Sequence, residues 1–237
     1  MTDNSQDSLY SREATERLAR QWTKTMWNST IWKGVRWMGA PIQQWPTDLV
    51  ILQELMHRLR PRVIIETGVF LGGSSVFYAS MLEMLKIDGR VISLDIQIHP
   101  EARANIGGCI YEDKITLVEC DSKAPETHKF LEQQLAGETN VMVCLDSDHS
   151  YSHTLAELRA FARYIPVGGY MIMFDTVCEW LADVPTGDPS WAQDNPMRAV
   201  RDFLASQPAD GPQFEIDKDC EKLLVTFCPN GYLKRVR

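Results

Sequence analysis

Nowhere in the 237 residues does an apolar run reach the roughly 18 needed to cross a bilayer, so no membrane span is expected. The opening stretch, MTDNSQDSLYSRE, is polar and acidic and lacks the features of a secretory leader. Residues 1–10 are expected to be disordered. The six cysteines are scattered, with no C-x-x-C pair, and Cys120 and Cys144 fall in or beside expected core strands. Reduced, structural thiols in a cytoplasm are the expectation. Cations are also short, with 24 Lys+Arg against 32 Asp+Glu and a net charge of −8. That balance argues against a broad nucleic-acid footprint.

What is present is a chain rich enough in apolar residues, 44%, to bury a sizeable core. The length suits one α/β domain with additions. The organising stretch is VIIETGVFLGGSS, residues 63–75. Apolar and β-branched residues flank one acid, Glu66. Gly68, Gly72, Gly73, Ser74 and Ser75 follow, and then an apolar run over 76–85. This predicts a buried strand, a glycine turn, and a helix capped by Ser74 or Ser75. In open α/β sheets a ligand sits over such a turn. The dinucleotide fingerprint G-x-G-x-x-G is missing, because its middle glycine position holds Phe70. That glycine lets backbone approach a pyrophosphate, so Phe70 argues against NAD. S-adenosylmethionine (SAM) fits better, and an acid before the turn suits its cationic end.

Short apolar strands alternate with helices along the rest of the chain. Strands are expected at 91–95, 115–119, 141–145 and 170–174, with helices at 11–30, 48–59 (capped by Thr47), 125–135, 151–164 and 197–205. Segments 214–216 and 223–227 look like a closing antiparallel pair. The alternation predicts a mostly parallel sheet flanked by helices. Residues 1–46 form an N-terminal extension and 47–237 the main domain. Within 31–46 stand Trp32, Trp37 and Trp45. They either pack on their own domain or serve as a lid or subunit contact. The loop 184–195, with Trp191, is long enough to suggest function.

The strands end in acids: Glu66, Asp95, Asp121, Asp146 and Asp175. In a parallel sheet these ends share one edge. Asp95, about the expected distance after the glycine turn, suits the two hydroxyls of a ribose. Asp146 and Asp175 could hold a divalent ion through oxygen. His149, three residues past Asp146, could take a hydroxyl proton as a neutral imidazole. His153 lies one helical turn on and is expected to face solvent. Asp146, His149 and His153 can also be drawn as an iron site, although such triads usually occupy a barrel rather than an α/β sheet.

Four stretches together carry a resemblance: PTDLVILQEL (46–55), RPRVIIETGVFLGGSSVFYASML (60–82), VCLDSDHSYSHTLAELRAFARYIPVGGYMIMFDT (143–176) and LVTFCPNGYLKR (224–235). They resemble the cephalosporin hydroxylase family, which includes rhamnosyl O-methyltransferases, and the related metal-dependent macrolide sugar O-methyltransferases. The resemblance implies a Rossmann-like class I methyltransferase, SAM as cofactor, and a hydroxylated small molecule as acceptor. It places Glu66, Gly68, Gly72 and Ser74 on the methionine-binding turn, Asp95 at the ribose, and Asp121 and Ser122 by the adenine. It makes Asp146 the first metal aspartate and His149 the base. In the family the strand at 170–174 ends in an adjacent Glu-Asp pair; here the pair is Phe174-Asp175. Weak Mg²⁺ binding is the expectation. A non-catalytic SAM-binding partner of another enzyme, and an iron hydroxylase, are the rival readings. A homo-oligomer is expected from the tryptophan-rich segment.

Overall fold

The computed structural model describes residues 10–237. The expectation of disorder at 1–10 therefore lies, Tyr10 excepted, outside the described residues. A helix, α1 (Arg12–Ser29), and a two-stranded ribbon, β1 (Arg36–Trp37) and β2 (Ala40–Pro41), precede the main sheet. Then come α2 (Pro46–Leu59), β3 (Val63–Thr67), α3 (Gly73–Met84), β4 (Arg90–Asp95), α4 (Pro100–Gly107) and β5 (Ile115–Glu119). They are followed by α5 (Pro125–Leu135), β6 (Val141–Leu145), α6 (Tyr151–Phe161), β7 (Tyr170–Met173), α7 (Cys178–Leu181), α8 (Pro196–Ala205), β8 (Phe214–Ile216) and β9 (Tyr232–Arg235).

The sheet runs β5-β4-β3-β6-β7-β9-β8. Strands β5, β4, β3, β6 and β7 are parallel, and β9 is antiparallel to both of its neighbours. Side chains alternate across it, as period two requires. Ile64, Val91, Met142, Cys144 and Ile172 pack on the α2–α3 side. Ile65, Ile92, Val143, Leu145 and Met171 pack against α5, α6 and α8 on the other. The chain leaves β3 in one direction, to β4 and β5, and returns to its far side at β6. The carboxyl ends of β3 and β6 therefore flank the point where strand order reverses, the ligand crevice of such sheets.

Local details differ from the sequence expectation, each for a physical reason. Helix α3 begins at Gly73 with Gly72 in the left-handed region as its cap, φ +84°. Ser74 and Ser75 lie inside its first turn rather than at the cap, and the Ser75 hydroxyl donates to Glu66 Oε2 at 2.6 Å. Thr47 is not a cap either. Pro46 opens α2, and the Thr47 hydroxyl donates to the Val225 carbonyl at 2.5 Å. Strand β7 ends at Met173, and the last turn of the 151–164 helix is 3₁₀. The closing pair is β8 with β9, not 223–227. Buried Asp48 captures that segment: it accepts from the Thr226 hydroxyl at 2.5 Å, the Phe227 N–H at 2.8 Å and the Tyr232 hydroxyl at 2.9 Å. With its amide turned to α2, Phe227 has no place in a ladder.

Held there, Phe227 becomes the hub of the N-terminal segment. The rings of Trp27, Trp32 and Trp45 lie 5.3, 5.4 and 4.9 Å from it. Trp37 packs edge-on to Phe77 at 4.9 Å and donates its N–H to Ser80. The tryptophans of 31–46 thus pack on their own domain.

Asp48 ties α2, the 226–227 loop and β9 together. Asp48→Ala leaves three buried donors without an acceptor, each unmet donor costing about 1–3 kcal/mol. A loss on the order of 3 kcal/mol in urea unfolding is expected. A variant of wild-type stability would show that the loop does not depend on this carboxylate.

Candidate active site

The site is built on two turns that touch. After β3 the chain turns at Gly68, φ +84°, and Phe70, φ +43°. A Cβ on Gly68 would lie 1.9 Å from the Asp146 carbonyl oxygen, so the turn after β6 can close on β3 only against a glycine. From the other side Asp95 Oδ2 accepts the Val69 and Phe70 N–H groups at 2.8 and 3.3 Å. Its other oxygen accepts from the Gln97 N–H at 3.1 Å.

Two chambers open beside this turn. The first, about 580 Å³, is lined by Gly68, Asp95, Asp121, Ser122, Asp146 and others. A carboxylate accepts at about four lone-pair positions, so Asp95 retains capacity for ligand hydroxyls. The second, about 340 Å³, holds His149 and Asp175 with Trp27, Trp32 and Trp191. Gly68, Phe70, Asp146 and Ser147 line both chambers and form the wall between them.

His149 stands between two acids. Its Nε2 lies 3.5 Å from Asp146 Oδ1 and its Nδ1 3.3 Å from Asp175 Oδ2. Burial raises the Asp146 carboxyl above its usual range and raises Asp175 to about 6. Burial alone would depress His149, but the two carboxylates overcome it and hold its proton well above 6.5. Asp175 has φ +52°, a conformation aspartate tolerates better than most residues. Gln44, from the segment before α2, donates to Asp146 Oδ2 at 2.6 Å.

Other expected site residues lie elsewhere. Glu66 is buried, accepts from Ser75 and Ser93 at 2.6 and 2.8 Å, and lines neither chamber. Gly72 faces Ile106 and also lines neither. Ser74 lines the second chamber, not the first. Phe174 packs in the α2–α3 core beside Ile172 and Tyr232. An acid at 174 would enter that core rather than the chamber. His153 does not face solvent. Its Nε2 lies 3.0 Å from Ser147 Oγ and 3.3 Å from Glu157 Oε1, and it lines the first chamber. The Asp146–His149–His153 iron triad therefore does not assemble.

Glu157, Gln44 and Cys178 were not singled out by the sequence reading. Glu157 is buried and accepts from Ser122 at 2.5 Å and Ser147 at 2.8 Å, linking the ends of β5 and β6. Its signal is an acid on the inward face of α6, between Leu155 and Leu158. Gln44 has no such signal.

The donor chemistry suits weakly held Mg²⁺. That ion keeps several waters and is commonly held by one or two carboxylates, the groups that Asp146 and Asp175 offer. The open first chamber, lined by both Asp95 and Asp121, suits an adenosine cofactor lacking a pyrophosphate.

Comparison with known proteins bears on this arrangement. The family model described as Rhamnosyl O-methyltransferase/CmcI matches residues 29–236. The rhamnosyl O-methyltransferase of Mycobacterium tuberculosis (strain H37Rv) is 28% identical over 196 residues, covering 80% of this chain and 73% of that protein. That of Mycobacterium leprae is 27% identical over 228 residues, covering 93% and 92%. Among solved structures, CmcI in its apo form superposes with a TM-score of 0.59 at 20% identity, covering 86% of this chain and 77% of that one. CmcI with Mg and SAM gives 0.57 at 21%, covering 86% and 78%. At these identities the structures speak for the fold.

Glu66 supports the glycine turn from below, and its burial makes the turn sensitive to pH. Burial raises its carboxyl from 4.5 to about 7. The folded state then binds this proton more tightly than the unfolded chain. Stability from this group is greatest below pH 4.5 and falls as pH rises toward 7. Relative to Glu66→Gln, which cannot titrate, the wild type should lose on the order of 3 kcal/mol across that window. Chemical unfolding at several pH values measures the difference, and a flat or rising difference would contradict the assignment.

Proposed function

The chain belongs to the Rhamnosyl O-methyltransferase/CmcI family of SAM-dependent O-methyltransferases, and we propose that its two chambers divide the reaction between them. SAM occupies the first, with Gly68 at its methionine end, Asp95 at its ribose, and Asp121 and Ser122 by its adenine. A hydroxylated small molecule occupies the second. A sugar hydroxyl is the favoured acceptor, because the two Mycobacterium relatives are named for rhamnosyl methylation. The observation that carries this reading is the shared wall: Gly68, Phe70, Asp146 and Ser147 face both chambers. Groups meeting across it are adjacent, and His149 is on the acceptor side.

SAM supplies a methyl group on a sulfonium, open to in-line attack. The chain's residues supply orientation and a place for one proton. With its imidazole neutral, His149 accepts the proton of the acceptor hydroxyl. Asp146 and Asp175, facing its two ring nitrogens, stabilise the imidazolium that results. Where Mg²⁺ is held by the same two aspartates, it supplies a Lewis acid that lowers the pKa of a coordinated hydroxyl. Trp27, Trp32 and Trp191 exclude water from the acceptor and offer it flat apolar faces. Such faces suit the C–H side of a sugar ring.

Two measurements test the division. Asp95→Ala removes the ribose partner, whose hydrogen bonds contribute about 1.5–3 kcal/mol each. Calorimetry with S-adenosylhomocysteine should show affinity about 100-fold weaker or worse. Unchanged affinity in folded protein would overturn the ribose assignment. His149→Ala should lower kcat by roughly 10²–10⁴ and leave S-adenosylhomocysteine affinity within about threefold. Normal turnover in that variant would place the base elsewhere.

A further inference from the structure

Beside the acid pair, at the edge of the second chamber, lies a donor set of a different character, two of whose members line that chamber. His149, Asp175 and Cys178 each present one ligand atom, and the three atoms lie within 4.8 Å of one another. They are a nitrogen, an oxygen and a sulfur. Cys178 opens α7, where its N–H donates to the Asp175 carbonyl at 3.0 Å, so a single turn sets the carboxylate and the thiol on the same side. His149 Nδ1 faces this pair, 3.3 Å from Asp175 Oδ2. Its other nitrogen, Nε2, is buried and lies 3.5 Å from Asp146 Oδ1.

We propose that His149, Asp175 and Cys178 form a site for a borderline-soft divalent ion of the Zn²⁺ class. Mg²⁺ is hard and takes oxygen ligands in near-octahedral geometry, so an imidazole and a thiol serve it poorly. Zn²⁺ and Co²⁺ accept this mixture at four-coordinate sites. Metal–ligand bonds of about 2.0–2.3 Å imply ligand separations of about 3.3–3.8 Å, so the donors need close by at most about 1.5 Å. Three protein ligands leave a fourth position, and His149 and Asp175 line the chamber that would supply it. Asp146 completes a recurrent pattern. A histidine that binds metal through one nitrogen commonly gives the other N–H to a carboxylate, which fixes the ring and strengthens the ligand. Binding releases the Cys178 thiol proton to solvent, leaving a thiolate on the ion. If His149 is the base proposed above, an ion here takes that base out of service. The site itself does not depend on that reading.

Co²⁺ tests the proposal because its spectrum reports its ligands. Metal-free full-length protein, without SAM or acceptor, should bind one Co²⁺. It should show a thiolate-to-cobalt charge-transfer band in the near ultraviolet and the intense visible bands of four-coordination. Zn²⁺ should abolish both at one equivalent, and Mg²⁺ in roughly 100-fold excess should not. Cys178→Ser should remove the charge-transfer band and weaken Co²⁺ binding by about tenfold or more. Cys109→Ser, on a half-buried thiol away from the chamber, should keep both. The proposal is overturned if the wild type binds no Co²⁺, binds it without the thiolate band, or yields it to Mg²⁺. It is equally overturned if the band survives in Cys178→Ser. None of these failures touches the methyl-transfer reading, which the His149→Ala kinetics test separately.

Discussion

Gly68 has no side chain, and where it stands none would fit. The Asp146 carbonyl oxygen lies 1.9 Å from the place a Cβ would take. This contact joins the carboxyl ends of β3 and β6, the two central strands on either side of the reversal in strand order. The glycine turn is pinned on its other flank by the Asp95 carboxylate, through the Val69 and Phe70 amides. Asp146, His149 and the wall between the chambers all follow from β6 ending where it does. A larger residue at position 68 would move that end and take the acceptor side of the site with it.

The strands were the most legible part of the chain. β5 and β6 begin and end where the sequence reading puts them, because short apolar runs bounded by acids leave little choice. Helix α5 does too, since Pro125 opens it and Leu131 and Leu135 face inward. The misplaced closing strand shows where local pattern runs out. Residues 223–227 are the more apolar of the two candidate segments, yet 232–235, Tyr-Leu-Lys-Arg, form the strand. Asp48, more than 170 residues earlier, decides between them by taking the Phe227 amide and the Thr226 hydroxyl. No window along the chain contains that contact.

The same limit shaped the site. Acids at strand ends were visible, and the structure brings Asp95, Asp121 and Asp146 to one chamber and Asp146 and Asp175 to the next. Which way each side chain turns was not visible. Glu66 sits in the strand with its carboxylate beneath the turn. Phe174 turns into the core, so it fills no ligand position that an acid at 174 could occupy. His153 reads as an outward residue of α6 until Ser147 and Glu157 are placed beside it. In each case the partner comes from another element, and strand alternation or helix period cannot name it.

Burial pushes four carboxyls upward in this small region: Asp48, Glu66, Asp146 and Asp175. They are not served alike. Asp48 accepts from three donors and Glu66 from two serine hydroxyls. Asp146 has Gln44 and shares His149 with Asp175. Among the described residues no Lys or Arg lines the second chamber. One imidazole therefore answers for two half-buried acids. A half-buried carboxylate pair with a single counter-charge favours whatever brings another positive charge, whether a proton or a metal ion. In the proposed reaction that unmet demand would make His149 a strong base once its own proton has left, and in the proposed metal site it would draw the imidazole, Asp175 and Cys178 toward a common cation.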